Sequence, residues 1–258
     1  MKESDKFAPS CVLEGMTSIS AALHAADSDF NNRTVLEIWV DCEKQAKKSR
    51  ELAYLKHQSR RLGFPILPVP AERLDEVTTG NTHGGIVAFC SDRTIPPLSQ
   101  LNDTLPENGF YAFLEGVEDP YNFGYAVRSL YAAGVDGVIL PPRNWMSAAG
   151  VVARASAGTS EAMRMWVAEP ADIPDFFRAR GYRAVCAGIR DSVSLYEADL
   201  KKPLLLVIGG EKRGISRAVL DKADLTVRID YQTDFHGSLS ASAATAVLAF
   251  EVLRQNRT

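Results

Sequence analysis

From residue 110 onward the chain repeats one pattern, a short apolar run followed by an amphipathic stretch. "FYAFLEGV", "GVIL", "MRMWVA", "RAVCAGI", "LLLVIG" and "LTVRI" read as strands, and residues 123–133, 147–157, 172–180, 216–222 and 239–254 read as the helices around them. Such alternation predicts a parallel sheet covered on both faces. Ligands of parallel sheets lie beyond the carboxyl ends of the strands. The loops after "FLEGV", "LLVIGG" and "TVRI" are therefore where a site is expected.

The first part of the chain reads as a separate, smaller α/β unit. "SISAALHAA" is helical, "TVLEIWV" a strand, "FPILPVP" a short strand, "AERLDEVT" a helix and "GGIVAFC" a buried strand. "SDRTIPPLSQLNDTLPENG" then shifts to linker composition. The expected division is 1–92, a linker at 93–107, and 108–258. With 258 residues the chain is long enough to bury a core without staples. Its four cysteines are far apart, which argues against a zinc site or a disulfide framework and for a reducing, cytoplasmic setting. "MKESDKFAPS" is charged and lacks an apolar core, so no signal peptide is expected there, and no apolar run nears the ~20 residues of a membrane span.

A net charge of −3 hides one basic stretch. "EKQAKKSRELAYLKHQSRR" carries Lys44, Lys47, Lys48, Arg50, Lys56, Arg60 and Arg61. Leu52, Leu55 and Leu62 provide an apolar side, so the stretch predicts a helix over 43–61 that buries one face. The outward face is either merely solvated or tracks phosphates.

Three loops carry the rest of the argument. In "EDPYNFGYAVRSL", Asn122 is expected to cap a helix and Arg128 to point back over its start. "IGGEKRGIS" is glycine-rich but is no P-loop, because Gly209 and Gly214 are not followed by Lys-Ser or Lys-Thr. It is no dinucleotide fingerprint either, which belongs near the start of a βαβ unit. In "RIDYQTDFHGSLSASAATAVLAFEVL" a polar segment meets a helix start rich in Ser and Ala, whose other face carries Val247, Leu248, Phe250 and Val252.

Together these loops resemble the SPOUT superfamily of RNA methyltransferases, in its SpoU/TrmH-type branch. Asn122-Phe-Gly124-Tyr-Ala-Val-Arg128 matches N-x-G-x-x-x-R, and Gly209-Gly-Glu211-Lys-Arg-Gly214-Ile-Ser216 matches G-x-E-x-x-G-[IL]-S. Ile229 and Ser238-Leu239-Ser240-Ala-Ser242 match I-P-M…S-L-N-V-S, and Ser156, Ala157, Gly158 and Glu161 match S-A-G-x-x-E. The resemblance covers about residues 106–258, and "THGGIVAF" resembles the last strand of the RNA-binding domain often fused in front.

The resemblance implies a deep trefoil knot in the parallel-sheet domain, a homodimer, and S-adenosylmethionine held by Gly209, Gly210, Glu211, Ile229 and Leu239. It implies ribose 2′-O-methylation, on ribosomal RNA given the front domain, with transfer RNA as the alternative substrate. Arg128, Asn122, Glu211, Ser238 and Ser240 become the catalytic set. Lys44, Lys47, Lys48, Arg60 and Arg61 become RNA contacts, and no metal is implied. A guanidinium stays protonated in proteins, so Arg128 is assigned to clamp a phosphate and stabilise a developing alkoxide. His83 and His236 are the alternative bases. Two departures stand out: I-P-M becomes Ile229-Asp230-Tyr231, with a slightly longer stretch to Ser238, and the asparagine of S-L-N becomes Ser240. They motivate a second reading, a non-catalytic RNA-binding protein on the same fold. A third reading is an unrelated nucleotide-binding enzyme.

Overall fold

The structure is a computed structural model and describes residues 11–78, 83–101, 105–142 and 148–257. It divides into two compact units.

The first unit comprises the described residues of Met1–Thr94 and Trp145–Ala162. Its strands are β1 (Val12–Glu14), β2 (Val35–Asp41), β3 (Ile66–Val69) and β4 (Ile86–Cys90). They form a mixed sheet in the order β1-β4-β2-β3, in which only β2 and β3 run parallel. Around it lie α1 (Gly15–Ala25), α2 (Ser49–Leu62) and α3 (Ala71–Val77), with α5 (Ala149–Ala155) and α6 (Thr159–Ala162) from later in the chain. Ala153 of α5 sits in the same apolar cluster as Leu13, Ile19, Ile38 and Leu55.

The S-A-G-x-x-E segment is what fixes α5 and α6 to this unit. Gly158 has φ +83°, and a β-carbon there would lie 2.5 Å from Ala21 Cβ of α1. Glu161, 2% exposed, accepts from Arg33 Nε at 3.0 Å and from Asn31 Nδ2 at 3.0 Å. Arg93, also buried, donates to the Ser160 carbonyl at 2.7 Å. Burial lowers the Arg93 pKa, and the Glu161 carboxylate opposes that shift. Removing the carboxylate would leave buried guanidinium uncompensated. Glu161→Ala is therefore expected to cost about 3–5 kcal/mol, measured as a lower urea midpoint at unchanged slope.

The second unit comprises the described residues of Ile95–Asn144 and Met163–Thr258. Seven parallel strands follow the order β7-β6-β5-β10-β8-β11-β9. They are β5 (Phe110–Glu115), β6 (Gly137–Leu140), β7 (Met165–Val167), β8 (Arg183–Ala187), β9 (Val193–Ser194), β10 (Leu204–Gly209) and β11 (Leu225–Arg228). The helices are α4 (Pro120–Ala132), α7 (Ile173–Arg178), α8 (Arg217–Leu220) and α9 (Ala241–Asn256). Strand β10 is central and nearly all buried, which is why its sequence is apolar at every position rather than alternating. Tyr111, Phe177 and Tyr182 pack edge-on or tilted in the core beneath it. Burial pushes the Tyr182 and Cys186 pKa values up to about 12.

Part of the stretch that reads as a linker is folded onto this sheet. Val167 N donates to the Pro96 carbonyl at 2.9 Å, and Leu98 and Leu101 are buried. Residue 147, the expected start of the fifth helix, lies outside the described residues. No helix among the described residues is long and apolar enough to cross a membrane.

Candidate active site

The site forms where β5, β10 and β11 end, from the loops that follow them. Asp119 is the N-cap of α4, its side chain accepting from Asn122 N at 2.8 Å, and Pro120 takes the first helical position. This corrects the expectation that Asn122 caps the helix. The Asp-Pro pair supplies the cap, and the Asn122 amide is left to reach across. Its Nδ2 donates to Glu211 Oε1 at 3.0 Å, and its Oδ1 accepts from Ser242 Oγ at 3.0 Å.

Glu211 Oε1 also accepts from Ala241 N, at 3.1 Å, so the carboxylate sits against the first residue of α9. Ser240 caps α9, accepting from Ala243 N, and its hydroxyl is 3.0 Å from that of Ser242. Three loops distant in sequence thus meet in one connected network. Beside it opens a cavity of about 320 Å3, lined by Gly116, Glu118, Asp119, Asn122, Glu211 and Lys212, among others.

The glycines of the second loop answer first to the chain itself. A β-carbon on Gly210 would lie 1.8 Å from the Gly116 carbonyl oxygen, and one on Gly209 would lie 2.4 Å from the Gly214 carbonyl carbon. The turn closes through Gly214 N to Gly210 O at 2.9 Å, and Gly214 has φ +64°. Glu115, 8% exposed, ties this turn to β5: its carbonyl accepts from Gly210 N and its carboxylate from Ser216 N.

The third loop is braced at both ends. Asp230 accepts from Ser194 Oγ and from Arg228 Nε, and the first of these bonds is the main reason its pKa is lowered. The Tyr231 hydroxyl accepts from Leu239 N at 3.2 Å. Ile229 is half-buried, whereas Ser238 is exposed.

The structure therefore brings Asn122, Glu211 and Ser240 together. Arg128 is exposed on α4, and its side chain makes no hydrogen bond or ion pair among the described residues. Of the alternative bases, His236 is exposed beside Asp234. His83 belongs to the first unit, where Asp75 and Gly85 N engage its two ring nitrogens. Three residues were missing from the sequence-based set: Ser242, Asp119 and Glu115. The Asp119-Pro120 dipeptide was a legible signal. Glu115 was not, since it reads as the end of an apolar strand.

The basic stretch is not one helix. Lys44 lies in a turn, Gln45–Lys48 form a 3-10 turn, and α2 starts at Ser49. Leu55 and Gln58 are its buried residues, whereas Leu62 is exposed, because α2 ends there and Gly63 adopts the left-handed cap. Arg61 is engaged by Asp27 and by Gln58 Oε1, Lys44 by Asp41 at 3.2 Å, and Lys48 faces Glu51 at 3.9 Å. Lys47 and Arg60 have no partner among the described residues. No group of three or more His, Cys, Asp or Glu among the described residues could hold a metal ion.

Comparison with known proteins agrees with this geometry. Residues 109–250 match the SpoU rRNA Methylase family, and residues 12–96 match the RNA 2'-O ribose methyltransferase substrate binding family. The chain is similar to the 23S rRNA (guanosine-2'-O-)-methyltransferase RlmB of Shewanella oneidensis, with 30% identity over 91% of this chain and 96% of that one. The Bordetella pertussis protein of the same name is 28% identical over 95% and 98%. Two solved structures share the fold. One is the AdoMet-bound rRNA methyltransferase of Sinorhizobium meliloti, with TM-score 0.78, 24% identity, and 96% and 88% of the two chains covered. The other is the SpoU methyltransferase AviRb of Streptomyces viridochromogenes in complex with AdoMet, with TM-score 0.75, 22% identity, and 95% and 89% covered.

The parallel sheet, the three-loop network and the front unit define a methyltransferase of the RNA-modifying kind. More particularly, the chain belongs to the SpoU rRNA methylase family.

Proposed function

We propose that this protein transfers the methyl group of S-adenosylmethionine to a ribose 2′-hydroxyl of ribosomal RNA, in the cytoplasm and as a homodimer. The observation that carries the reading is the Asn122–Glu211–Ser242 network, because it joins the three loops of the family motif into one site.

Of the residues assigned to the cofactor, Glu211 lines the cavity, and Gly209, Gly210, Ile229 and Leu239 lie outside its lining. Glu118, Asp119 and Glu211 border the cavity and favour a cationic sulfonium. On the adjoining loop the buried Ser216 Oγ has no hydrogen-bond partner among the described residues. Gly209, Gly210, Glu211, Ile229 and Leu239 would hold the molecule, which when bound supplies an already activated methyl group.

The protein's own part is positioning and charge. Glu211 and Ser242 fix both ends of the Asn122 amide, leaving its second N–H to meet a substrate oxygen. Arg128 clamps a phosphate and stabilises the developing alkoxide, while substrate phosphate or water takes the proton. Ser238 faces the nucleotide, and Ser240 acts through its bonds to Ala243 N and Ser242. Strand β10 lies between β5 and β8, the Gly210 turn packs on Gly116, and membership of the family is the ground for proposing a deep trefoil knot here. Calorimetry with S-adenosylmethionine, followed by methyl transfer to total RNA, tests the reading. Binding without transfer would favour the non-catalytic RNA-binding alternative.

The dimer is supported by aromatics on two helices packed on each other. Tyr121, Tyr125 and Tyr131 of α4 and Phe250 of α9 are 42–48% exposed, while Leu248 and Val252 face inward. A second copy would cover the exposed aromatics and bring Arg128 toward the partner's site. Light scattering at low micromolar concentration should give twice the 28.2 kDa chain mass; a monomer would contradict it.

RNA contacts are assigned to Lys47, Arg60, Lys44 and Lys48, with a lesser share for Arg61; Lys44 and Lys48 also face Asp41 and Glu51, and Arg61 faces Asp27. Changing the first four to Gln should weaken binding to many RNAs alike, lowering the salt slope by roughly one for each phosphate no longer neutralised. An unchanged slope would leave these residues a solvated face.

A further inference from the structure

A cavity of about 640 Å3 opens at one end of the four-stranded sheet of the first unit. Its size lies within the range of small-ligand sites, and the chemistry at the strand ends of the second unit makes no use of it. Three walls enclose it. One is the β1–α1 junction with Glu14 and Thr17, another is Lys48 and Glu51 together with His83 and Gly84, and the third is Arg154 and Ala157 at the end of α5. The substrate-binding family match ends at residue 96 and lacks the third wall, whereas the methylase match contains only that wall. The cavity exists because α5 and α6 pack on β1 and α1.

The walls carry both signs of charge. Arg154 Nη1 donates to Glu14 Oε2 at 2.8 Å, Lys48 faces Glu51, and the His83 ring is oriented by Asp75 and Gly85 N. An apolar guest would strand these polar groups, and a simple anion would meet Glu14 and Glu51. A flat, neutral guest with donors and acceptors along its edge meets neither penalty, and a nucleobase has that character. At the mouth lies the lysine turn. Lys44 Cδ is 3.3 Å from where a Gly85 β-carbon would sit, so the chain carrying Lys44, Lys47 and Lys48 runs beside the 83–85 loop. Ala157 adds a mark of its own: it holds φ +51°, a left-handed conformation uncommon for a residue with a side chain.

We infer that this cavity receives one unpaired nucleotide of the RNA substrate, base inward and phosphate on the lysine turn. The inference rests on the RNA methyltransferase reading and adds to it a second point of RNA recognition, built jointly by Glu14, Thr17, Lys48, Glu51 and His83 with the α5 segment.

Gly84 provides the test. It lines the cavity at φ +59°, and no heavy atom lies within 4 Å of where its β-carbon would be. Asn tolerates left-handed backbone better than most residues, so Gly84→Asn should fold and fill the cavity. Thr17→Gln, on the exposed first turn of α1, fills it from the opposite wall and serves if the first variant loses its thermal transition. The probes are a random-sequence single-stranded oligoribonucleotide and, as a polyanion without bases, inorganic polyphosphate. RNA affinity should fall roughly five- to a hundredfold, the range for removing the stacking of one base, with polyphosphate affinity unchanged. Wild-type RNA affinity in a folded variant would overturn the inference, as would equal losses for both polymers. Failure of the wild-type protein itself to bind RNA would instead overturn the functional reading on which the inference rests.

Discussion

Arg128→Ala is expected to lower methyl transfer by about two to four decades, the range of a positioned catalytic or oxyanion-type donor, and to leave S-adenosylmethionine affinity nearly unchanged. Exposure without a partner is also what an ordinary surface residue shows, so the measured turnover separates the two readings. Arg128 is exposed on α4, pairs with no described residue and touches none of the Asn122–Glu211–Ser242 network. Its side chain makes no hydrogen bond or ion pair among the described residues whose loss could mimic a catalytic defect. If it were an ordinary surface residue, alanine would be silent or slightly stabilising by helix propensity. Arg128→Lys should rescue poorly, because an ammonium cannot reproduce the guanidinium fork on a phosphate. Single-turnover rates and calorimetry on both variants decide between the two outcomes. Near wild-type turnover in Arg128→Ala would remove the residue from the mechanism.

The second large effect is structural. Gly210→Ala should destabilise the second unit by at least the ~3 kcal/mol upper end of ordinary overpacking, because its β-carbon would overlap the Gly116 carbonyl at 1.8 Å. The obstacle is backbone, so no side chain can swing away. The same reasoning applies to Gly209, whose β-carbon would meet the Gly214 backbone at 2.4 Å. Gly209→Val is therefore expected to lose both fold stability and cofactor binding. A lower thermal midpoint together with lost cofactor affinity is the expected pair of results. A Gly210→Ala protein that melts with the wild type would show that these loops do not pass so close.

Much of this was legible because local pattern and fold agree. The all-apolar "LLLVIG" announced a parallel strand, and the three loops singled out by sequence lie at strand ends. The order of the strands was not legible, since β10 lies beside β5 through pairings distant in sequence. Strands β1 and β9, three and two residues long, carry too little periodicity to read. The S-A-G-x-x-E segment read only as a family motif, and in the structure Glu161 and Gly158 serve packing against α1 and Arg33. No pattern in the chain pairs residue 33 with residue 161. The basic stretch misled differently. Its charges suggested one continuous helix, while Asp41, nearly fully buried and accepting from Glu43 N and the Lys44 ammonium, holds Lys44 in a turn before α2 begins.

The position of the transferred methyl group can be read directly. The purified protein would be incubated with methyl-labelled S-adenosylmethionine and unmodified ribosomal RNA, and the RNA digested to nucleosides. The label is expected in a single 2′-O-methylnucleoside, and to survive alkaline hydrolysis within a dinucleotide, because a methylated ribose cannot attack its own phosphate. Label on a base, or no transfer to RNA by a protein that binds the cofactor, would contradict the account.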